Sequence, residues 1–329
     1  MKVLVTGATG FIGQHLVREL ASKGYYVKCL MHRRTFSDKK LEKIAELVTG
    51  DITDATSIKE ALKDVDVVFH LAALLGRWQS EYMEHIYYRV NSLGTKLLVK
   101  QAMKMGVKLF IYLSTTGVFG NIKRCPVNEN HPCNPTFPYE KSKCIAEQAV
   151  KSAIDKGFPA TIIRPSHVYG PGDVNTLKIL KIIKRFRVFP LIDGGRAMFQ
   201  PIYVEDLVKA LVLCMEKRKI AIGKTYIIAG NERITFKDFI QLSAELLGAS
   251  ITYFSVPGWL MSVLALICEK IFPAFNLEPP LTRSRVEFFR RNHCYSVDKI
   301  RKELGFQPKT NLRNGLKKTI EWYAMKGLL

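Results

Sequence analysis

The sequence predicts an α/β protein with a doubly wound parallel sheet and a smaller, mainly helical C-terminal lobe. Short apolar runs typical of buried strands alternate with amphipathic helical segments over the first two thirds of the chain. The stretch TGATGFIG separates the first strand from the first helix. Alternating strands and helices need crossover connections, and right-handed crossovers give a parallel sheet with helices on both faces.

The first predicted unit is a strand, a glycine loop, a helix and a second strand. Val3–Val5 is a short apolar run, as expected for a buried strand. Apolar residues then recur at helical spacing: Ile12, Leu16, Val17 and Leu20. Gly24 ends this helix, and Val27–Met31 supplies the second strand.

The alternation continues along the chain. Strands are predicted in AELVTGDI, DVVFHLAA, KLFIYLS, ATIIRP and KTYIIAG, and helices at Ser57–Lys63, around Asn91–Met105, in the segment that contains Tyr139, and in VEDLVKALVLCM. From about Asn231 the chain is mainly helical and contains several prolines. We therefore predict a Rossmann-type domain at residues 1–165 with 200–230, and a second lobe at 166–199 with 231–329.

The cysteines and the N-terminal segment predict a cytoplasmic protein. Seven scattered cysteines include no CxxC pair, so we expect reduced thiols and neither a disulfide scaffold nor a metal site. MKVLVTGATG leads directly into a strand, and no signal peptide is predicted.

The chain is strongly basic, with a net charge of +21. Such a surface attracts phosphates, anionic lipids or nucleic acid, but no nucleic-acid-binding motif is present and no such partner is expected. The simplest interpretation is a lysine-rich, soluble surface. The apolar run Trp259–Cys268 is too short to span a bilayer. We interpret it as a buried or lobe-capping helix, with peripheral contact to an anionic membrane as the alternative.

Three glycines lie between the first strand and the first helix. Gly7, Gly10 and Gly13 have GxxGxxG spacing. Residues without a Cβ at this position let the backbone approach a pyrophosphate at the helix N-terminus. The loop therefore predicts a dinucleotide site.

The end of the second strand indicates which dinucleotide. An acidic residue there would bind the ribose 2′-OH of NAD, whereas arginine suits the 2′-phosphate of NADP. The chain has His32, Arg33 and Arg34 and no acid. NADP(H) is favoured, and NAD(H) stays open because the two arginines would also fit a basic surface loop. Residues 1–165 with 200–230 are thus predicted to form the NADP-binding domain, and 166–199 with 231–329 the substrate-binding lobe.

These motifs together resemble the extended short-chain dehydrogenase/reductase superfamily, the NAD(P)-dependent epimerase/dehydratase family. TGATGFIG, GDITD, FHLAA, VNSLGT and RPSHVYGPG are similar to its landmarks, and the resemblance covers the chain nearly from end to end. It implies cofactor contacts at the loop and at the ends of the strands. These are Gly7, Thr9, Gly10, Phe11, Ile12, Gly13, Asp51, Ile52, Leu71, Ala72, Ala73, Asn91, Leu113, Tyr139, Lys143, Pro165, His167 and Val168.

Two tyrosines are each followed by a lysine four residues later, a spacing that stacks side chains on a helix. In the resembled family the active tyrosine follows a strand that ends in Ser or Thr, as IYLSTTGVFG does before Tyr139. The resemblance implies that Tyr139 is the general acid/base, with Lys143 lowering its pKa and holding the nicotinamide ribose. Tyr295 and Lys299 are interpreted as helix surface.

The same resemblance gives the remaining polar site residues. Thr115 is expected to bond the substrate oxygen, with Thr116 and Ser166 as further substrate contacts; a shift of one position, to Ser114, stays open. Asn91 matches a residue used in cofactor positioning or proton relay, or is a helix N-cap.

Motif departures indicate the reaction. The resembled dehydratases have Asp-Glu after the active Thr, where this chain has Thr116 and Gly117. The C-terminal segments resemble the 3β-hydroxysteroid dehydrogenase, sterol dehydrogenase and dihydroflavonol reductase branch. This predicts an NADP(H)-dependent oxidoreductase acting on a secondary alcohol or ketone of a bulky, apolar, sterol-, isoprenoid- or flavonoid-like substrate.

Two other functions are kept as alternatives. One is a nucleotide-sugar epimerase or reductase, in which Arg283, Arg285 or Arg291 would bind the anionic substrate. The other is a non-catalytic NADP-binding sensor. The resemblance also implies a homodimer.

Overall fold

We describe the protein from a computed structural model, which covers residues 1–32, 35–75, 84–275 and 277–329. The strands are β1 (Lys2–Thr6), β2 (Tyr26–Met31), β3 (Glu46–Thr49), β4 (Val67–His70), β5 (Leu109–Leu113), β6 (Ala160–Pro165), β7 (Val168–Tyr169), β8 (Val188–Ile192), β9 (Met198–Phe199), β10 (Ile202–Tyr203), β11 (Thr225–Ile228), β12 (Ile234–Thr235) and β13 (Thr252–Val256).

The helices lie between these strands and in the C-terminal part. They are α1 (Phe11–Ser22), α2 (Ala55–Ala61), α3 (Glu84–Tyr87), α4 (Gly94–Lys104), α5 (Pro138–Asp155), α6 (Val174–Phe186), α7 (Val204–Glu216), α8 (Arg218–Ala221), α9 (Phe236–Leu246), α10 (Gly258–Ala274), α11 (Arg283–Arg290), α12 (Asp298–Leu304) and α13 (Leu312–Met325). A π-helical segment, Tyr88–Leu93, joins α3 to α4.

The main sheet confirms the predicted fold class. Its order is β11-β6-β5-β4-β1-β2-β3, and every neighbouring pair is parallel. The chain winds outward from β1 in one direction through β2 and β3 and then in the other through β4. In such sheets the crevice at the carboxyl ends of β1 and β4 is where ligands bind.

Apolar side chains cover both faces of the sheet, as the continuous apolar strands require. Leu16 of α1 and Leu207 of α7 belong to the core on one face. Leu98 of α4 and Val150 of α5 belong to the core on the other face. The two layers fix the strand ends relative to α5, which contains Tyr139.

A third core lies among the later elements. Three small two-stranded sheets form here, from β7 with β10, β9 with β12, and β8 with β13. Aromatic rings dominate the packing: Phe199 lies 5.1 Å from Phe239 and 5.8 Å from Phe236 between ring centroids. The exact domain boundaries stay a prediction.

One interpretation from the sequence is wrong, and the buried alternative of a second one is excluded. Tyr295 is not helix surface: it precedes α12 and is 1% exposed, because its ring packs near Phe119 and its N–H bonds to Gln200. The apolar run in α10 is not buried either, since only Gly258 and Ala265 of that helix are buried. Within the described ranges, no helix is both long and apolar enough to cross a membrane.

Candidate active site

The glycine loop follows β1 and lies against the end of β4. Gly7 has a φ of +73°, and a Cβ there would lie 2.7 Å from the backbone nitrogen of Ala72. A Cβ on Gly13 would overlap the carbonyl oxygen of Gly7. Glycine is therefore required at both positions for the loop, the helix and the strand to pack this closely.

The N-terminus of α1 faces the site without a side-chain cap. Gly10 is the N-cap residue, and the helix begins at Phe11 and Ile12. Uncapped amides of a first helical turn bind phosphate well, because they carry unpaired N–H groups and the positive end of the helix dipole. The loop and this helix end fit the pyrophosphate of a dinucleotide, with Thr9 between two of the glycines.

The adenosine side of the site is formed after β2 and β3. His32 Nε2 lies 3.3 Å from a carboxylate oxygen of Asp51. Ile52 is buried and its side chain would contact a Cβ at Gly94 at 3.1 Å, so this glycine leaves room for it. Arg33 and Arg34 lie outside the described residues.

A buried hydrogen-bond chain connects β1, β4 and α4. Thr95 Oγ1 donates to the Asn91 carbonyl at 2.6 Å, so its single proton is used and it accepts from His70 Nε2 at 2.8 Å. The other ring nitrogen of His70 therefore accepts from Thr6 Oγ1 at 2.7 Å. Burial lowers the pKa of His70 to about 3, and the ring is neutral. The chain fixes Leu71, Ala72 and Ala73 beside the loop.

Asn91 lies inside the π-helical segment and is not a helix N-cap, so that alternative is wrong. Its side-chain oxygen accepts from the Leu74 N–H at 2.7 Å, and its amide donates to Ser142 Oγ at 3.0 Å. Ser142 Oγ in turn donates to the Tyr139 carbonyl at 2.7 Å. Asn91 thus holds the first turn of α5 against the segment after β4, which is a positioning role.

Tyr139 and Lys143 occupy the same face of α5 near its N-terminus. The Tyr139 ring lies edge-on to that of Tyr87, with centroids 6.4 Å apart. Lys143 is 2% exposed; its Nζ donates to the Leu113 carbonyl at 2.7 Å and lies 4.2 Å from the Tyr112 ring centroid. The lysine therefore connects α5 to the end of β5.

The expected lowering of the Tyr139 pKa is not present in this structure. Burial, with smaller contributions from Glu140 and Tyr87, raises the pKa of Tyr139 above its usual value. Burial lowers the pKa of Lys143 to about 7, opposed by the Glu147 carboxylate. The amine is engaged with Leu113, and its partial neutrality weakens the electrostatic help that an ammonium would give.

Hydroxyl groups line the ends of β5 and β6. Thr115 Oγ1 accepts from the Gly117 N–H at 3.0 Å and caps a short 3₁₀ helix. Thr116 is buried beside it. Among the described residues, the buried Oγ atoms of Ser114 and Ser166 have no hydrogen-bond partner. Unpartnered buried hydroxyls at a ligand crevice are suited to bind a polar group of a ligand.

The segment after β6 brings aromatic groups to the site. Pro165 ends the strand, and Val168 begins β7. Between them, the His167 ring lies 5.2 Å from Phe199 and 5.5 Å from Phe288 between centroids. Burial lowers the pKa of His167, so the imidazole is neutral.

Glu147 is a site residue that the sequence analysis missed. It is 1% exposed and forms a two-pronged ion pair with Arg164, at 2.9 and 2.7 Å. Its charge favours the protonated form of Lys143. The sequence does contain a signal for this residue: Glu147 follows Lys143 by four residues, the spacing at which helical side chains meet.

Comparison with known proteins gives the family. The profile of the "NAD dependent epimerase/dehydratase family" matches residues 3–229. A 2-alkyl-3-oxoalkanoate reductase of Stenotrophomonas maltophilia is 28% identical over 97% of this chain and 98% of its own. Sterol-4-alpha-carboxylate 3-dehydrogenase, decarboxylating, of Homo sapiens is 28% identical over 96% of this chain and 87% of its own.

A solved structure of UDP-glucose 4-epimerase from Thermotoga maritima, with UDP-glucose, superposes with a TM-score of 0.82 at 25% identity, covering 99% of both chains. The predicted enzyme class and the nicotinamide cofactor are thus confirmed, whereas the choice between NADP and NAD is not settled by these matches. The chain belongs to the NAD dependent epimerase/dehydratase family and is an enzyme of the extended short-chain dehydrogenase/reductase type.

Proposed function

We propose that the protein is an NADP(H)-dependent oxidoreductase that interconverts a secondary alcohol and a ketone on a bulky, largely apolar substrate. The observation that carries the reaction is the contact between α5 and the end of β5: Lys143, one turn after Tyr139, donates to the Leu113 carbonyl, and the hydroxyl residues Ser114 and Thr115 follow Leu113 directly. The nicotinamide, when bound, exchanges a hydride with the substrate and, when oxidised, adds a positive charge that favours the phenolate.

The protein's own residues handle the proton. During oxidation the Tyr139 oxygen accepts the hydroxyl proton of the substrate, and during reduction it returns a proton to the carbonyl oxygen. Thr115, or the unpartnered Ser114, donates a hydrogen bond to the same substrate oxygen. Asn91 holds the helix turn of Tyr139 in place. Lys143 holds the nicotinamide ribose and, when protonated, stabilises the phenolate.

An apolar substrate is favoured over a nucleotide sugar because the three candidate arginines are already paired with carboxylates. Arg283 pairs with Glu269 at 2.7 Å, and Arg285 pairs with Glu278 at 3.2 Å. The third candidate, Arg291, is 7% exposed in its side chain and pairs with Glu140 at 3.1 Å. A nucleotide sugar would have to displace these carboxylates to use the guanidinium charges.

An apolar substrate finds a suitable surface nearby. Ser166, the predicted substrate contact, and His167 follow directly after β6. The neutral His167 ring packs against Phe199 and Phe288, and Phe288 packs against His293. The two enzymes at 28% identity include one named for a sterol carboxylate and one for an alkyl oxoalkanoate. Both names describe largely hydrocarbon substrates with an oxygen to be oxidised or reduced.

The first experiment follows nicotinamide absorbance with apolar secondary alcohols and ketones. Tyr139→Phe removes the proton-transfer group, and we expect turnover to fall by about 10²–10⁴-fold. Tyr26→Phe is the matched control, because its exposed ring lies at the amino end of β2, away from the carboxyl ends of the strands, and its turnover should stay near wild type. Equal turnover of Tyr139→Phe and wild type would overturn the catalytic assignment.

The second experiment tests the cofactor and the substrate class. We expect tighter binding of NADPH than of NADH, and loss of that preference in Arg33→Ala/Arg34→Ala. Tight retention of NAD, together with conversion of a nucleotide sugar to its epimer and no net reduction, would instead establish the epimerase alternative. The family also leads us to propose a homodimer, which analytical ultracentrifugation tests directly.

A further inference from the structure

One side of α10 is an exposed apolar surface. Seven large apolar side chains of the helix, from 37% to 67% exposed, lie on it, and Phe275, the C-cap residue, is 70% exposed; the seven are Trp259, Leu260, Val263, Leu264, Leu266, Ile267 and Ile271. At 100° per residue these positions fall within one half of the helix circumference, and Lys270 is the charged residue among them. Contiguous apolar surface of this kind marks an interaction site.

The paired strands β8 and β13, which precede α10 in the chain, also expose apolar side chains. β13 leads into α10 and pairs in parallel with β8, with Phe254 opposite Pro190 and Thr252 opposite Val188. Alternate residues of β8 are exposed, and Val188 and Phe254 are 44% and 51% exposed. Phe186, at the end of α6, is 59% exposed.

Positive charge lies on α6, the helix that packs against β8 and leads into it. Residues 174–192, which form α6 and β8, contain five basic and no acidic residues. All five bases are exposed: Lys178, Lys181, Lys184, Arg185 and Arg187.

Three carboxylates near α10 are already paired with arginines. Glu269 pairs with Arg283 at 2.7 Å, and Asp193 pairs with Arg290 at 2.9 Å. The third, Glu278, pairs with Arg285. α10 thus presents a mainly apolar face, and α6, which packs against the β8–β13 pair before α10, presents exposed bases.

We propose that this protein docks on anionic phospholipid membranes through the exposed face of α10, with the bases of α6 contacting the lipid head groups. A second copy of the chain is a poorer occupant, because a symmetric contact would bring two basic clusters together. An interfacial helix buries its apolar face at the level of the head groups, where tryptophan is favoured, and lysine and arginine attract anionic lipid. This inference does not rest on the proposed reaction.

Vesicle co-sedimentation at low salt tests the proposal. The wild type should bind vesicles that contain about 30% phosphatidylserine and bind phosphatidylcholine vesicles far more weakly. Leu264→Ser/Ile267→Ser/Ile271→Ser should lower the partition coefficient at least tenfold. The control Ile220→Ser/Met325→Ser/Leu328→Ser removes exposed apolar side chains elsewhere and should bind like wild type.

Charge is tested in the same assay. Lys181→Gln/Lys184→Gln/Arg185→Gln should lose about fivefold in partition per base, or roughly a hundredfold in total. The control Lys59→Gln/Lys100→Gln/Lys104→Gln removes three exposed bases of α2 and α4 and should lose little. Inorganic phosphate at matched ionic strength should not release the protein, since a lone anion site would be competed.

Tryptophan fluorescence gives a readout that does not depend on variants of the docking face. In Trp78→Phe/Trp322→Phe, Trp259 is the remaining tryptophan, and vesicles should shift its emission to the blue and brominated lipids should quench it. No shift, or equal losses in the α10 variant and its control, would overturn the proposal. So would a change of the α10 triple variant from dimer to monomer, because the face would then be covered by a second copy.

Discussion

Lys143→Met should make the protein inactive but more stable. The Lys143 side chain is 2% exposed, so the folded state must bury an ammonium whenever this amine is protonated. Methionine has a similar length and fills the same space without charge. The residue proposed for catalysis is thus placed at a cost in stability, as is common at active sites.

The size of this stability gain follows from the pKa of Lys143. Lowering the pKa of Lys143 from 10.5 to about 7 corresponds to about 4–5 kcal/mol of folding free energy when the amine is charged. The variant loses the hydrogen bond to Leu113 and the contact with the Tyr112 ring, together roughly 1–2 kcal/mol. We therefore expect Lys143→Met to be about 2–4 kcal/mol more stable than wild type near neutral pH.

The stability difference between wild type and Lys143→Met should depend on pH, and its direction follows from the two protonation states of Lys143. From about pH 7 to about 10.5 the unfolded lysine keeps its proton while the folded lysine has lost it. The unfolded state therefore binds more protons, and wild-type stability should rise with pH relative to Lys143→Met across that window. Urea unfolding of the cofactor-free proteins measures this difference, with Lys141→Met as the exposed control. A variant that is less stable than wild type, or a difference that does not change with pH, would refute the reasoning.

Three further predictions concern the Glu147–Arg164 ion pair, the cysteine near it and the glycine loop. Glu147→Gln leaves the Arg164 guanidinium buried without its counter-ion and should cost about 3–5 kcal/mol in urea unfolding, much of it recovered when Arg164→Met is added; a loss below about 1 kcal/mol would contradict this. A hydrogen bond from a neighbouring thiol, and then Arg164, lower the pKa of Cys133, whereas burial raises the pKa of Cys125 to about 12. Iodoacetamide near neutral pH should therefore label Cys133 first, and faster labelling of Cys125 by mass spectrometry would count against the assignment. Gly13→Ala places a methyl group on a carbonyl oxygen of the glycine loop and should weaken dinucleotide binding at least tenfold by calorimetry, with unchanged affinity as the contrary result.

The sheet and the glycine loop could be predicted from sequence because both leave local signals. Continuous apolar runs are needed for strands buried on two faces, and Gly7 meets a backbone contact that excludes any other residue. The proposed roles of Tyr139 and Lys143 came from the resemblance, since the same spacing at Tyr295 accompanies a buried residue outside any helix.

Other features depend on tertiary contacts that sequence does not encode locally. The same apolar composition suits a buried helix or an exposed one, so the exposure of Trp259 could not be read from its segment. The raised pKa of Tyr139 arises from its burial, from Glu140 and from Tyr87, which precedes it by some fifty residues. The engagement of Lys143 with Leu113 likewise joins a helix to a distant strand.

The π-helical segment Tyr88–Leu93 determines how α3 is rotated about the helix axis relative to α4. A helical residue turns the chain by about 100°, so removing one residue here would restore an ordinary helix and rotate the preceding turn by that angle. Tyr87 would then leave the Tyr139 ring, and Asn91 would no longer reach both Leu74 and α5. An insertion or deletion within this segment would therefore act on the active site even though it leaves every proposed catalytic side chain in the sequence.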